Sequence, residues 1–142
     1  MTSLVAKPIQ NVALLLVRFY LRDTIIIAGT SVLAELNESP TAKMIMDTLP
    51  LKASFNTWGD EIYFSIPVKA SLDNTAKEIV ELGDLGFWPP GSAFCIFFGM
   101  TPMSSKGKII PASAVNIIGR VIDEPSIFKK LTNESEISLE AL

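Results

Sequence analysis

Apolar residues along this chain alternate or form short runs, a pattern that is typical of β-strands rather than of long helices. The segment "LLLVRFYL" at residues 14–21 has apolar residues at both odd and even positions. This pattern predicts a strand that is buried on most of both faces. Asp23-Thr24 predicts a turn, after which "TIIIAG" forms the second strand of a hairpin. The "VLAEL" that follows a break at residues 29–31 fits either an extended or a helical segment.

Two stretches carry helix signals. Ser39 is a suitable N-cap, Pro40 fits the first helical position, and Pro50 lies just beyond a run with helical spacing of its apolar residues. The segment "DEPSIFKKLT" at residues 123–132 predicts one or two helical turns, with a proline near the start and lysines near the end. We therefore expect two short helices.

The rest of the chain contains further strand patterns. Apolar and polar residues alternate through residues 61–66, "GSAFCIFFG" predicts a fully buried strand, and "AVNIIGRVI" and "SEISLE" predict two more. Residues 73–83, "DNTAKEIVELG", fit a capped helix or a strand equally well. Seven or eight strands with two short helices predict a mainly β fold, a barrel or a sandwich, in one domain over residues 1–142 with residues 1–11 loosely ordered.

Composition excludes several classes of function. The formal net charge is −3 with no basic cluster, so we expect no nucleic-acid partner. The apolar "VALLLV" at residues 12–17 is too short to span a membrane, and we expect a cytoplasmic protein without a membrane partner. The sequence has no histidine and one cysteine, which argues against a zinc site, an intramolecular disulfide and a histidine base. We expect no metal and no cofactor.

Several segments together resemble a known family. "GSAFCIFFG" followed by "NIIGRVI" and "DEPSIFKKL" is similar to two strands and a short helix of cyclophilins. With "NESPTAKMIMDTLPL", "FNTWGDEIYFSIPV" and "GDLGFWPPG", the chain from about residue 14 onward resembles a prokaryotic cyclophilin-like family of short single-domain proteins. The resemblance implies a closed, mostly antiparallel barrel capped by helices, and it favours a strand over residues 79–88.

The resemblance also bears on catalysis. Cyclophilins isomerise X-Pro bonds with an arginine on a barrel strand, an apolar proline pocket and polar groups at its rim. Here Cys95 aligns with the pocket phenylalanine, the rim histidine falls near Val115, and residues 51–98 contain no arginine. Arg18 and Arg22 lie on a different predicted strand. Since the cation is missing, we expect no catalytic residues, and an isomerase with a rearranged active site is the alternative.

The candidate ligand-binding residues are aromatic, acidic and proline residues around two Gly-Asp turns. They are Trp58, Asp60, Tyr63, Trp88, Pro90 and Phe97. In this interpretation the two tryptophans are walls, Asp60 is a polar anchor and Phe97 a floor, in a cleft for a small molecule or a short peptide. The competing structural interpretation has the tryptophans plugging the barrel ends and the turn carboxylates bonding backbone N–H groups.

Two further features have simpler interpretations. Cys95 lies within an apolar strand, where burial raises the pKa of a thiol, so we expect it to be inert. Glu61 follows Asp60 directly and would point to the opposite face of a strand, so the two carboxylates would not act together. A structural or assembly protein is a second alternative function, with the Pro89-Pro90 turn as part of a surface for a homo-oligomer.

Overall fold

The computed structural model describes residues 21–142, in which ten strands form one sheet. The strands are β1 (Leu21–Ile27), β2 (Thr30–Leu36), β3 (Leu51–Ser54), β4 (Asn56–Thr57), β5 (Glu61–Ser65), β6 (Ala76–Lys77), β7 (Asp84–Trp88), β8 (Ala93–Phe97), β9 (Val115–Val121) and β10 (Glu136–Ala141). The helices are α1 (Pro40–Met46) and two short 3-10 helices, Pro89–Gly91 and Pro125–Lys130. None of the helices between residues 21 and 142 is long and apolar enough to cross a lipid bilayer.

The sheet curls into a nearly closed barrel. Its strand order is β3-β10-β1-β2-β9-β7-β8-β5-β4, with β6 paired to β9, and the strand pairs are antiparallel. The two ends of this order meet because β3 and β4 are consecutive in the chain and β3 contacts β5. The predicted mainly β, mostly antiparallel barrel is thus confirmed. Its two predicted short helices are α1 and the 3-10 helix Pro125–Lys130, and the three-residue 3-10 helix Pro89–Gly91 is additional. The predicted loose segment, residues 1–11, lies outside the described residues.

The first described hairpin differs from its prediction. Asp23 and Thr24 lie inside β1, paired with residues of β2, and the turn falls at Ala28-Gly29, with φ angles of 50° and 80°. The predicted turn at Asp23-Thr24 is therefore wrong. A two-residue hairpin turn needs left-handed backbone angles that glycine tolerates and a β-branched threonine does not. The segment "VLAEL" is extended, within β2, and most of the predicted strand over residues 14–21 lies outside the described residues.

The predicted N-cap of α1 is present. The Ser39 hydroxyl accepts a hydrogen bond of 3.2 Å from the Ala42 N–H, and Pro40 is the first helical residue. Thr41, Ala42 and Ile45 form its buried face. Pro40 has no backbone N–H that would need a partner at the first helical position, and the Ser39 hydroxyl satisfies the Ala42 N–H, so these two residues define where the helix begins.

Residues 73–88 are extended or turn, so the helical interpretation of this segment is wrong. After β6, Val80 forms an isolated bridge with Ile109, and the regular strand begins only at Asp84. The Asp84 carboxylate accepts a hydrogen bond of 2.8 Å from the Glu81 N–H and closes a turn there. This turn shortens the strand that the family resemblance implies over residues 79–88.

Both faces of β8 are buried, as its sequence predicts, but by different clusters. Phe94 and Ile96 face the barrel interior together with residues from β1, β2 and β10. Ala93, Cys95 and Phe97 face outward, into a second cluster that also contains Val80, Ile109 and Val115. The outward face of β8 thus has its own apolar cover, and the candidate site lies on this outer side.

Candidate functional site

A cavity of about 260 Å³ lies on the outer face of the sheet, over β5, β7, β8 and β9. Among the described residues its lining is mostly aromatic and apolar, with one carboxyl and one thiol. The lining residues are Trp58, Glu61, Tyr63, Trp88, Cys95, Pro111, Ala112 and Val115. The three aromatic side chains are half-buried, so they remain accessible from solvent.

A tight turn brings the first two lining residues together. The Trp58 N–H donates a hydrogen bond of 2.9 Å to the Glu61 carbonyl, which closes a two-residue turn of Gly59 and Asp60. Gly59 has a φ of 60°, and a Cβ at this position would lie 2.8 Å from the Met100 carbonyl oxygen, so glycine is required twice over. Residues opposite one another in an antiparallel pair share a face, so Trp58 and Glu61 both line the cavity.

The strand register adds the remaining wall and floor residues. Tyr63 lies two positions after Glu61 on β5, on the same face, and is paired with Cys95 of β8. Trp88, the last residue of β7, is paired with Ala93 of β8 and therefore also faces outward. Pro111 and Ala112, from the loop between β8 and β9, close the opposite side of the cavity.

Trp88 is held at two edges of its ring. The indole N–H donates a hydrogen bond of 2.7 Å to the Ser113 hydroxyl. The other edge packs over Gly91, where an added Cβ would lie 3.1 Å from the Cε3 and Cζ3 atoms of the ring. The ring therefore bridges the 3-10 helix at Pro89–Gly91 and the loop before β9, and it forms a fixed wall.

Glu61 is the acidic group of the cavity, and its side chain is 6% exposed. Burial raises the pKa of Glu61 to about 7, against a smaller lowering effect of a hydrogen bond with the Cys95 thiol. Within the described residues, 21–142, the lining contains no arginine or lysine to compensate the charge. Near neutral pH the carboxyl group is therefore divided between its neutral and charged forms.

Cys95 lies beside Glu61 and stays protonated. Burial raises the pKa of the Cys95 thiol well above its ordinary value, and the charge of Glu61 raises it further. The thiol is consequently a weak nucleophile at physiological pH.

Asp60 has a different position from its neighbour. Its carboxylate lies 3.9 Å from the Lys129 ammonium group, and its side chain is not part of the cavity lining. Its N–H donates to the Met100 carbonyl and its carbonyl accepts from the Phe98 N–H, at 2.8 and 3.0 Å. Asp60 thus fixes the turn against the segment after β8.

The structure brings together three of the six residues predicted from sequence. Trp58, Tyr63 and Trp88 line the cavity, and the two tryptophans lie on the outer face of the barrel rather than in its interior. Phe97 is fully buried in the same outer cluster as Cys95 and Val115, beneath the lining, and Pro90 is exposed on its 3-10 helix.

Sequence analysis did not identify Glu61, Pro111 and Ala112 as lining residues. A local signal existed for Glu61, since a two-residue turn at Gly59-Asp60 places it opposite Trp58. No local signal exists for Pro111 and Ala112, which come from a long loop. Among residues 21–142, no group of three acidic or cysteine side chains is arranged to hold a metal ion.

Comparison with known proteins identifies one family and a similar fold. The family model described as cyclophilin-like matches residues 22–140. The solution structure of a hypothetical protein from Archaeoglobus fulgidus superposes with a TM-score of 0.74 at 40% sequence identity, covering 87% of this chain and 96% of that chain. A search of curated proteins found no match.

Proposed function

The chain belongs to the cyclophilin-like family, and we propose that it is a non-catalytic member that binds a small molecule or a short peptide in the cavity lined by Trp58 and Trp88. The observation that supports this proposal is the combination of three accessible aromatic side chains with one buried carboxyl group. Apolar walls with a few polar groups that fix orientation are the usual composition of ligand sites.

The size of the cavity favours a small ligand. Its volume of about 260 Å³ is just below the range of roughly 300–1,000 Å³ that is typical of sites for drug-sized molecules. A metabolite, or one or two side chains of a peptide, would fill it. Cys95 and Val115, which the family resemblance aligns with the proline pocket and the rim, both line this cavity.

The competing function is peptidyl-prolyl isomerisation at a rearranged site. Twisting an X-Pro bond is slow because the amide has partial double-bond character, and a positioned cation weakens that resonance. In the part of the chain that the structure describes, the cavity lining holds no lysine or arginine, and Arg22 and Arg120 are exposed on β1 and β9. We therefore expect a protease-coupled proline assay to give the uncatalysed rate, and a clear acceleration would contradict the non-catalytic proposal.

A structural or assembly role is the second competing function. Met100 and Met103, in the loop after β8, are 48% and 52% exposed and would suit a self-association surface. Sedimentation at high protein concentration distinguishes this role, because a protein that stays strictly monomeric does not self-associate through such a surface. From the net charge of −3 and the single cysteine, we propose a cytoplasmic protein without a nucleic-acid partner.

Ligand binding can be measured with the protein's own fluorescence. The chain has two tryptophans, and both line the cavity, so its tryptophan emission comes from the cavity walls. A panel of metabolites and proline-containing dipeptides would be screened by emission change and by thermal shift. Trp58→Ala should weaken any hit by about tenfold or more, as expected for an aromatic wall.

The matched control is Ile122→Ala, which removes an apolar side chain that is 38% exposed and not part of the lining. This variant should retain the affinity of the unmodified protein. Equal binding by Trp58→Ala and Ile122→Ala would overturn the assignment of the cavity as the ligand site.

A further inference from the structure

We infer that the ligand of this cavity is a small organic ammonium cation, held by the Glu61 carboxylate and surrounded by Trp58, Tyr63 and Trp88. This inference rests on the proposed ligand-binding function and adds the chemical class of the ligand. We base it on the negative charge that Glu61 places in the cavity and on the absence of lysine and arginine from the described lining residues.

The first argument is the unbalanced carboxylate. Glu61 is 6% exposed, yet no lysine or arginine among residues 21–142 lines the cavity. The ionisable group beside it is the Cys95 thiol, which is only a weak hydrogen-bond donor. Asp60, the sequence neighbour of Glu61, by contrast has a cation within 3.9 Å. A buried carboxylate is costly without a partner of opposite charge, so a bound cation would stabilise the site.

The second argument is the aromatic surround. Tryptophan and tyrosine rings attract a nearby cation through the negative potential of their faces, and recognition of quaternary ammonium groups uses such rings. Three of the eight lining residues in the described part of the chain are tryptophan or tyrosine. Because Glu61 itself is 6% exposed, its attraction to a bound cation is screened less than that of a surface carboxylate.

Few titratable groups complicate this arrangement. Among residues 21–142, the ionisable side chains that line the cavity with Glu61 are Tyr63 from its own strand and Cys95 from β8. Trp88 of β7, Val115 of β9 and the loop residues Pro111 and Ala112 carry no charge. A cation would therefore bind to the deprotonated form of Glu61, and binding would release a proton at pH values below 7.

A neutral ligand is the alternative, with a protonated Glu61 donating a hydrogen bond to it. The two possibilities predict opposite pH dependences. Affinity for a cation rises with pH until Glu61 is fully ionised, whereas affinity for a neutral hydrogen-bond acceptor falls over the same range. A probe whose own charge does not change with pH separates them.

The experiment compares choline with its uncharged isostere 3,3-dimethylbutan-1-ol, using tryptophan emission and calorimetry. We expect choline to bind more tightly than the isostere, and about tenfold more weakly at pH 6 than at pH 8 because Glu61 is mostly protonated at pH 6. Glu61→Gln, which keeps the shape and removes the charge, should weaken choline binding by about tenfold or more while leaving the isostere unaffected.

Asp60→Asn is the matched control, because it removes the adjacent carboxylate that does not line the cavity; choline binding should be unchanged. The thermal midpoint of each variant reports whether it folds. The inference is overturned if the isostere binds as tightly as choline, if Glu61→Gln binds choline normally, or if neither compound binds. Isostere binding without a preference for choline would leave the proposed binding function intact, and the metabolite screen tests that function independently.

Discussion

The indole N–H of Trp88 donates a hydrogen bond of 2.7 Å to the hydroxyl of Ser113, and this contact joins the end of β7 to the loop that precedes β9. The bond spans the outer face of the barrel beside the cavity. It therefore holds the wall of the candidate site at a defined distance from the loop that closes the opposite side.

Removing this bond should loosen the cavity wall. Ser113→Ala is expected to lower the free energy of unfolding by about 1 kcal/mol, the usual net contribution of a hydrogen bond, and to shift the Trp88 emission. Urea unfolding and steady-state fluorescence measure the two effects. Ser31→Ala, at an exposed serine of β2, should change neither, and an unaltered emission in Ser113→Ala would contradict the anchoring role.

The reactivity of Cys95 should depend on Glu61. Burial and then the Glu61 charge raise the pKa of the thiol, so at pH 8 we expect methyl methanethiosulfonate to react with it far more slowly than with free cysteine. Glu61→Gln removes the negative charge, lowers the thiol pKa and should accelerate the reaction several-fold. Asp60→Asn should leave the rate unchanged, and an equal acceleration by both variants would show that the effect is not specific to the cavity.

Asp23 should make the fold less stable as pH rises. Its side chain is fully buried, neither carboxyl oxygen has a hydrogen-bond partner within the described part of the chain, and burial raises its pKa from 3.8 to about 7. The folded state thus binds the proton more tightly than the unfolded state, and stability is lost between about pH 4 and pH 7. The shift corresponds to at most about 4 kcal/mol at one residue.

Asp23→Asn tests this contribution, because the amide has a similar shape and does not ionise. Denaturation curves from pH 4 to pH 8 should show the variant gaining stability relative to the unmodified protein as pH rises, with the gain levelling off above pH 7. A difference that stays constant with pH would exclude Asp23 as the titrating group. Glu61→Gln should show a separate gain in stability relative to the unmodified protein. This gain begins as the pH rises above 4.5, the ordinary pKa of the glutamate side chain.

Asn116 should be the most sensitive polar residue on β9. Its carbonyl oxygen accepts from the Asp73 N–H at 2.8 Å, and its amide donates to the Thr41 hydroxyl and the Ser71 carbonyl at 3.1 and 2.9 Å. Asn116→Ala leaves these partners unsatisfied and is expected to cost about 2–3 kcal/mol in urea unfolding. Asn74→Ala, at the exposed position next to Asp73, should change the free energy of unfolding little.

Local patterns predicted most of the fold. Ser39 and Pro40 marked the start of α1, and the apolar run of residues 93–97 indicated a strand buried on both faces. The predicted turn at Asp23-Thr24 is wrong because a two-residue hairpin turn needs left-handed backbone angles. Ala28 and Gly29 adopt these angles, whereas Asp23 and Thr24 are extended within β1. Residues 73–83 were ambiguous because their extended pairings are long-range: β6 pairs with β9, and Val80 bridges to Ile109.

The sequence by itself determined a mainly β fold, a barrel or a sandwich, because strand alternation, a capped helix and glycine turns are local properties. The family resemblance of the sequence then favoured the antiparallel barrel. It also indicated Trp58, Tyr63 and Trp88 as residues of one site. Only the tertiary structure decided that the strand face shared by Trp58 and Glu61, and not the face of Asp60, is enclosed as a cavity. Adjacent strand residues point to opposite faces, so strand register and the loop at residues 111–112 together determine which carboxylate is enclosed.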